Sequence, residues 1–290
     1  MRILILGGDG MLGHQLLISF KDKHEVKVTL RNNVLFYQNI TLFSDKNSYF
    51  GVNILDDDSL LQILADFKPE VVINAVGVIK QRDLAKQIIP SLQINALFPH
   101  RLAMLCKLMS SRLISISTDC VFSGKKGNYT EDDLPDAEDI YGRTKLLGEV
   151  GYDGCLTLRS SIIGLEFFHK KSLIEWFLQQ KGTIKGFSKV IYTGVTTMEM
   201  ARIIEYILNT APSLSGIFQV ASKPISKYEL LSLLVKKLNK TDVKIVVDDT
   251  MDCDRSLVGT KFTTCTNYRI PSWDAMLDEL ALIIKENKTI

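Results

Sequence analysis

The sequence begins with Arg2-Ile-Leu-Ile-Leu-Gly-Gly-Asp-Gly-Met-Leu-Gly13. The apolar run at residues 2–6 is typical of a parallel strand that is buried on both faces. The pattern Gly7-x-x-Gly10-x-x-Gly13 follows it and opens a helical stretch that extends to Phe20. Glycines let the backbone turn tightly and let a diphosphate approach the helix N-terminus. The stretch therefore predicts a strand, a phosphate-binding turn and a helix, and a turn without a ligand is the alternative.

Strands and helices are expected to alternate beyond this turn. Further strands are predicted at residues 25–30, 49–53, 70–74, 112–117 and 155–159, and helices at 57–67 and 91–109 and around Tyr141. Pro99 lies inside the 91–109 helix and predicts a distortion near Asn95. This alternation predicts an α/β fold with a Rossmann-type, doubly wound parallel sheet.

The chain is expected to form two units. Residues 1–160, completed by parts of 185–222, are predicted to bind NADP(H), and 161–290 to form mainly a smaller C-terminal substrate-binding lobe. In the lobe, helices are expected at residues 172–180, 197–209, 226–238 and 272–285, and strands at 217–221 and 243–247.

Composition excludes several classes of function. A net charge of +2 gives no basic field for a nucleic-acid partner. No apolar run reaches the ~18 residues of a membrane span, and Met1 leads directly into the first strand without a signal peptide. The 5 cysteines are widely spaced and show no Cys-x-x-Cys pair. We therefore expect a cytoplasmic protein with reduced thiols, no bound metal and no membrane partner.

Residues after the strand ends are the candidates for cofactor binding. Arg31 follows the second strand, where an arginine accommodates the 2′-phosphate of NADPH and an acidic residue would favour NAD. We therefore predict NADPH as the cofactor, with NADH as the alternative. For Arg31 itself, the alternative is an ordinary solvated side chain on the surface. The expected cofactor contacts are Gly7, Gly10, Met11, Leu12, Gly13, Arg31, Asn53, Ile54, Asn74, Ala75, Val76, Gly77, Tyr141 and Lys145.

Tyr141 and Lys145 are candidate catalytic residues. Side chains four residues apart lie on one face of a helix. An adjacent ammonium is expected to lower the pKa of a tyrosine from its usual value near ~10. The Thr118 hydroxyl, just after the predicted strand at 112–117, would orient the substrate oxygen. An ordinary surface pair is the alternative.

These motifs, together with Asn74-Ala75, resemble the extended short-chain dehydrogenases/reductases. Within that superfamily, Ile-Ser-Thr-Asp-Cys-Val-Phe-Ser-Gly at 116–124 and Asp-Arg-Ser-Leu at 254–257 are similar to dTDP-4-dehydrorhamnose reductases. The resemblance implies reduction of the 4-keto group of a nucleotide-diphosphate-linked 4-keto-6-deoxyhexose. Thr118 would hold the C4 oxygen, Tyr141 would protonate it, and Lys145 would bond the nicotinamide ribose. The candidate substrate contacts are Lys80, on its position alone, Asp119, Cys120 and Arg255, and a homodimer is a candidate assembly. The Arg255 guanidinium can bind a diphosphate through two oxygens, and a surface ion pair with Asp252 or Asp254 is its alternative.

Two residues depart from the related patterns. Asn53 stands where extended reductases often have an aspartate that meets the adenine. Cys120 stands where the reductase family has a substrate-contacting tyrosine. In GDP-fucose synthases and plant-type UDP-rhamnose synthases, a cysteine at this spacing is an acid/base for epimerisation, and its partner lies about where residues 169–171 occur. A bifunctional 3- and/or 5-epimerase and 4-reductase using Cys120 is therefore a second hypothesis, with a small pocket-shaping role for Cys120 as its alternative.

Other members of the superfamily give further alternatives. Thr118-Asp119-Cys120 lacks the glutamate of the Thr-Asp-Glu of 4,6-dehydratases, which argues against elimination. A 4-epimerase would favour an acidic residue in place of Arg31. The regulatory subunit of methionine adenosyltransferase resembles the same family, so a non-catalytic NADP-binding module is a third hypothesis. Cys120 favours a UDP-linked sugar, with an N-acetylated one as a further option, in surface-polysaccharide biosynthesis.

Overall fold

Helices and strands alternate along the chain in the structure, a computed structural model that describes residues 1–78, 87–168 and 170–287. The strands are β1 (Arg2–Leu6), β2 (Glu25–Thr29), β3 (Ser48–Tyr49), β4 (Val71–Asn74), β5 (Arg112–Ser117), β6 (Leu156–Arg159), β7 (Ile162–Ile163), β8 (Gly182–Tyr192), β9 (Val195–Thr196), β10 (Gly216–Gln219), β11 (Ile225–Ser226) and β12 (Val243–Asp254). The helices are α1 (Met11–Phe20), α2 (Asp57–Phe67), α3 (Ile88–Ser91), α4 (Phe98–Leu108), α5 (Ile140–Leu147), α6 (Leu173–Gln179), α7 (Thr197–Thr210), α8 (Lys227–Leu238), α9 (Thr260–Thr266) and α10 (Trp273–Asn287). None of the helices within those ranges is long and apolar enough to cross a membrane.

Seven strands form one parallel sheet in the order β10-β6-β5-β4-β1-β2-β3. The chain builds outward from β1 through β2 to β3, then returns to place β4 on the other side of β1. This reversal makes the gap beyond the carboxyl ends of β1 and β4 the place where open α/β sheets bind ligands. The predicted α/β fold with a doubly wound parallel sheet is confirmed.

Strand β1 shows why the sheet is covered on both faces. Ile3 and Ile5 belong to an apolar cluster that includes side chains of α1 and α7, whereas Leu4 and Leu6 belong to a second cluster with α2 and α4. Successive side chains of a strand point to opposite faces. All four are fully buried, so a continuous apolar run, rather than an alternating one, is what this position requires.

The C-terminal part adds a smaller sheet in the order β11-β8-β12. β12 runs parallel to β8, and β11 runs antiparallel to it. Helices α8 and α10 pack against each other beside this sheet. β10 returns to the large sheet, where it pairs with β6. The described chain therefore crosses between the two sheets several times.

Two predicted strands differ from the structure. β3 covers only Ser48–Tyr49, so the expected strand at 49–53 is wrong and Asn53 lies in the connection to α2. β12 extends to Asp254, well beyond the predicted 243–247, because it pairs with β8 along most of its length across a bulge. The residues of β12 beyond position 247 are mostly polar, so no alternation of apolar residues in the sequence indicates that they are extended.

The predicted helix at 91–109 is broken into three parts. The helix begins at Ile88, passes through a π-helical turn at Leu92–Leu97 and continues as α4. Pro99 has no backbone N–H to give to the preceding turn, which explains the wider turn before it. The predicted distortion near Asn95 is confirmed, and it brings Asn95 to a buried position.

Candidate active site

The glycine-rich turn after β1 is shaped to receive a diphosphate. Gly7 has a positive φ of 82°, and the Gly10 N–H donates to Gly7 O at 3.1 Å. A Cβ on Gly13 would lie 2.0 Å from Gly7 O, so only glycine allows α1 to pack this closely. Gly10 caps α1 without a side-chain hydrogen bond, and N–H groups of the first helical turn need partners. A phosphate group can supply them.

Tyr37 supports this turn, and no sequence pattern indicated it. It lies in a short 3₁₀ helix, Val34–Tyr37, after β2. Its hydroxyl donates to Asp9 Oδ2 at 2.7 Å, and burial together with Asp9 raises the pKa of Tyr37 to about 12. The neutral phenol therefore binds the Asp9 carboxylate, the one negative charge within the turn. Arg31 is exposed beyond the end of β2, on the same side of the sheet.

Two asparagines order the end of β4. Asn74 Oδ1 accepts a hydrogen bond from the Val76 N–H at 3.1 Å. Asn95 Oδ1 accepts from the Val78 N–H at 2.9 Å, and its amide donates to Val78 O at 3.1 Å and Thr144 Oγ1 at 3.4 Å. The buried Asn95 thus ties the segment after β4 to α5. It is a positioning residue to which sequence patterns assigned no role.

Close packing brings α5 against the segment after β5. Asp139 caps α5 by accepting from the Gly142 N–H at 2.8 Å. A Cβ on Gly142 would lie 2.1 Å from Cys120 O, and one on Gly148 would lie 1.8 Å from Asn95 O. Glycine at both positions lets the helix lie directly on its neighbours. Tyr141 is thereby brought within hydrogen-bonding reach of the Thr118 hydroxyl.

The expected lowering of the Tyr141 pKa by Lys145 is wrong in direction. Burial raises the pKa of Tyr141, the nearby Cys120 raises it further, and the hydrogen bond with Thr118 acts to lower it. Lys145 Nζ instead donates to Ile116 O at 2.7 Å. Burial lowers the pKa of Lys145 to about 8, although the Glu149 carboxylate acts to raise it. Tyr141 is thus a protonated phenol at neutral pH, in a position to donate its proton.

A buried ion pair lies behind Lys145 and was not predicted. Arg159 donates to both carboxylate oxygens of Glu149, at 2.8 Å and 2.7 Å. The Ser117 hydroxyl donates to Glu149 Oε1 at 2.6 Å. Because the Glu149 carboxylate has partners on both sides, its charge is tolerated at a buried position. The carboxylate in turn favours the ammonium form of Lys145.

Five predicted site residues meet beyond the end of β5: Thr118, Asp119, Cys120, Tyr141 and Arg255. We call them the Thr118 cluster. The Thr118 hydroxyl donates to Asp119 Oδ1 at 3.1 Å and accepts from the Cys120 N–H at 3.2 Å. Arg255 directly follows β12, and its Nε donates to Phe122 O at 2.8 Å. Burial acts to lower the pKa of Arg255, but the nearby Cys120, Cys253 and Asp119 raise it above its usual value.

Other predicted residues lie apart from this cluster or outside the described residues. Lys80 and His169 fall in the gaps of the described ranges. Lys170 Nζ lies 3.4 Å from Glu175 Oε2, so its ammonium is paired with α6. Asn53 Oδ1 accepts from the Leu55 N–H at 3.1 Å in the turn before α2. Tyr192, at the end of β8, does approach Asp119 and Cys120, and no sequence motif indicated it.

The fold and the cluster define a Rossmann-type protein whose tyrosine, lysine and threonine meet at the carboxyl end of the central strands. Residues 1–161 match the family model described as the RmlD substrate binding domain. The chain belongs to this family, that of the dTDP-4-dehydrorhamnose reductases among the extended short-chain dehydrogenases/reductases.

Individual proteins show two kinds of likeness. Methionine adenosyltransferase 2 subunit beta of Rattus norvegicus is 29% identical over 150 residues, which cover 51% of this chain and 41% of that protein. The chain thus spans about two fifths of the length of this relative. A hypothetical dTDP-4-dehydrorhamnose reductase from Sulfolobus tokodaii is similar in structure, with a TM-score of 0.75, 27% identity and coverage of 95% of this chain and 99% of that one. The dTDP-4-dehydrorhamnose reductase of Bacillus anthracis in complex with NADP has a TM-score of 0.79 at 19% identity, covers 97% and 99% of the two chains, and shows likeness of fold alone.

Proposed function

We propose that the protein is an NADPH-dependent oxidoreductase that reduces the 4-keto group of a nucleotide-diphosphate-linked 4-keto-6-deoxyhexose. The observation that carries this proposal is the meeting of Thr118, Tyr141 and Lys145 at the carboxyl end of β5, in a chain of the dTDP-4-dehydrorhamnose reductase family. The Sulfolobus tokodaii protein, described as a hypothetical enzyme of this kind, supports the same reaction class.

The residues of the site have distinct tasks in this reaction. A nicotinamide cofactor supplies the hydride when it is bound. Thr118 orients the C4 oxygen, and Tyr141 gives that oxygen its proton, so that the ketone becomes an alcohol. The phenolate left on Tyr141 is stabilised by the Lys145 ammonium one helical turn away. Glu149 keeps that ammonium charged, because its carboxylate opposes the effect of burial on the pKa of Lys145.

The glycine-rich turn fits the diphosphate of such a cofactor. Its support is the absence of a side-chain cap on α1 together with the close contact between Gly13 and Gly7. Arg31, exposed at the end of β2, favours NADPH over NADH because a guanidinium binds a 2′-phosphate.

Arg255 is proposed to bind the diphosphate of the sugar nucleotide. Its guanidinium lies beside Cys120 and Asp119, and its Nε donates to Phe122 O at 2.8 Å. A guanidinium can bind two phosphate oxygens at once.

The test is NADPH oxidation with 4-keto-6-deoxyhexoses generated from dTDP-glucose, UDP-glucose and UDP-N-acetylglucosamine. We expect the wild type to turn over one of these sugars. The rate of that reaction should fall about 10²-fold or more in Tyr141→Phe. Tyr228→Phe on helix α8, a phenol outside the Thr118 cluster, is the matched control and should keep wild-type rates. Equal rates in Tyr141→Phe and the wild type would exclude the proposed proton donor.

Epimerisation by Cys120 is a second candidate activity. Cys120 is partly exposed and lies near Tyr141 and Arg255. Of the three residues considered as its partner base, Lys170 is paired with Glu175 and His169 lies outside the described residues. The wild type should exchange deuterium from solvent into C3 or C5 of the keto sugar, and Cys120→Ser should not. Unchanged exchange in Cys120→Ser would eliminate this activity.

A non-catalytic NADP-binding role is the third candidate, and the likeness to methionine adenosyltransferase subunit beta favours it. NADPH binding without turnover of any of the three sugars, together with a stable complex with an unrelated enzyme, would support this role over reduction.

A further inference from the structure

Tyr192 lies where the small sheet meets the large one. In the small sheet, Tyr192 of β8 pairs with Ile225 of β11, and its neighbour Ile191 pairs with Asp254 of β12. Arg255 comes directly after Asp254, so Tyr192 and Arg255 leave neighbouring parallel strands at the same end. Arg255 Nε donates to Phe122 O at 2.8 Å, just after residues 118–120, and Tyr192 leaves the adjacent strand beside it. Asp119 and Cys120 accordingly act on the pKa of both side chains.

The Tyr192 ring is held in place by its surroundings. Its centroid lies 5.6 Å from that of the Trp273 ring, at an interplanar angle of 38°. A Cβ on Gly194 would lie 2.6 Å from a ring carbon of Tyr192, so glycine at position 194 leaves the space that the ring occupies. The hydroxyl lies within hydrogen-bonding reach of Ser161, which follows β6 at the carboxyl edge of the large sheet. The phenol is therefore fixed with its hydroxyl toward the candidate active site.

The chemistry of this phenol selects a kind of ligand. Burial raises the pKa of Tyr192 well above its usual value, Asp119 raises it further, and the hydrogen bond with Ser161 acts to lower it. The phenol is therefore neutral at physiological pH, with one proton to donate and an oxygen that accepts. Such a group matches an uncharged hydroxyl, whereas the buried carboxylate of Asp119 disfavours a carboxylate on the same ligand.

We propose that Tyr192, positioned by Ser161, is a specificity-determining residue that binds a ring hydroxyl of the hexose from the C-terminal side of the Thr118 cluster. This inference rests on the proposed function, because it assumes that the cluster holds a sugar. Thr118 and Tyr141, from the large sheet and α5, act on the C4 oxygen. Tyr192, from the small sheet, fixes a second point of the ring, and two fixed points determine which ring stereochemistry is accepted.

The experiment pairs a hydroxyl deletion in the protein with hydroxyl deletions in the sugar. Tyr192→Phe keeps the ring against Trp273 and removes only the hydroxyl. We expect its KM for the keto sugar to rise roughly 10-fold to 100-fold with kcat changed much less, since a site built to bond a hydroxyl loses that bond. The KM of the wild type should rise by the same factor when either the 2-hydroxyl or the 3-hydroxyl of the sugar is removed. Tyr192→Phe should have the same KM for that deoxy sugar and for the complete sugar.

Controls separate this inference from the proposed reaction. Tyr228→Phe should match the wild type, and NADPH binding to Tyr192→Phe, followed by fluorescence titration, should be unchanged. Calorimetric binding of dTDP- and UDP-6-deoxyhexoses provides a readout that does not need turnover. If the wild type reduces none of the sugars but binds a sugar nucleotide more tightly than Tyr192→Phe does, the inference is supported although the proposed reaction is not. Equal binding and equal KM in the wild type and Tyr192→Phe would overturn the inference whatever the reaction, as would a wild type that binds neither sugar nucleotide.

Discussion

The large and the small sheet supply the candidate site in different ways. The strands of the large sheet are mostly buried on both faces, and each of β1, β4 and β5 ends directly in a site segment. β8 and β12 of the small sheet are half exposed along their length, and Tyr192 at the end of β8 and Arg255 after the end of β12 reach the Thr118 cluster. The large sheet is thus a packed scaffold for the proposed hydride and proton transfer. The small sheet delivers the groups proposed to recognise the substrate.

The largest effect on stability is expected inside the large-sheet region, at the buried pair of Glu149 and Arg159. Glu149→Gln removes the carboxylate and leaves the Arg159 guanidinium buried without its counter-charge. We expect a loss of about 3–5 kcal/mol in the free energy of unfolding, measured by denaturant titration.

The small-sheet region offers a matched ion pair for this test. Lys237 of α8 contacts the exposed Asp278 of α10. Asp278→Asn should change the free energy of unfolding little, because the Asp278 carboxylate is exposed to solvent and Lys237 keeps Asp274 as a second partner. Losses of equal size in the two variants would contradict the contrast between the buried ion pair of the large-sheet region and the more exposed pair of the small-sheet region.

The glycine-rich turn should show the next largest effect. In Gly13→Ala the new methyl group would overlap Gly7 O, and the turn or α1 must move. We expect a net loss of about 1–3 kcal/mol in stability, although alanine has the higher helix propensity, together with weaker NADPH binding. Gly77→Ala is the control for stability, because among the described residues its Cβ would meet nothing closer than Asn95 Oδ1 at 3.5 Å. An unfolding midpoint for Gly13→Ala equal to that of the wild type would show that the turn is not closely packed.

The smallest effect is expected in the pH dependence of the reaction. The pKa of Lys145 is lowered to about 8, so its ammonium form is lost as pH rises through about 8, and kcat should fall there. Tyr141 contributes no fall in this range, because its pKa is raised above its usual value. Stability changes in the opposite sense. Between about 8 and the unfolded value of ~10.4, the unfolded chain binds more protons at Lys145, so this group makes the free energy of unfolding increase with pH.

Lys145→Arg separates the charge from its titration. An arginine stays protonated throughout this range, so any activity that this variant retains should not decline near pH 8. The measurement is the pH profile of kcat in the two proteins at saturating substrate. A wild-type profile that stays flat through pH 8 would contradict the proposed role of the Lys145 ammonium.

Much of the large sheet could be predicted from local sequence because its signals are local. The run at 2–6, the glycine spacing and the Tyr141 and Lys145 spacing each report on contacts between residues close in the chain. Pro99 likewise predicted the distortion at Leu92–Leu97. The direction of the Tyr141 pKa shift could not be predicted in this way, because burial is its largest cause. That burial is produced by elements far apart in the sequence.

The sequence by itself determined the doubly wound parallel sheet, the glycine-rich turn and the identity of the Tyr141, Lys145 and Thr118 group. Only the tertiary structure decided which remote residues complete the site: Tyr37 on Asp9, Arg159 on Glu149, and Tyr192 beside Cys120. The physical reason is the range of the interactions. Periodicity and turn chemistry act between neighbours in the chain, whereas burial, ion pairing and strand register join residues that only the folded chain brings together.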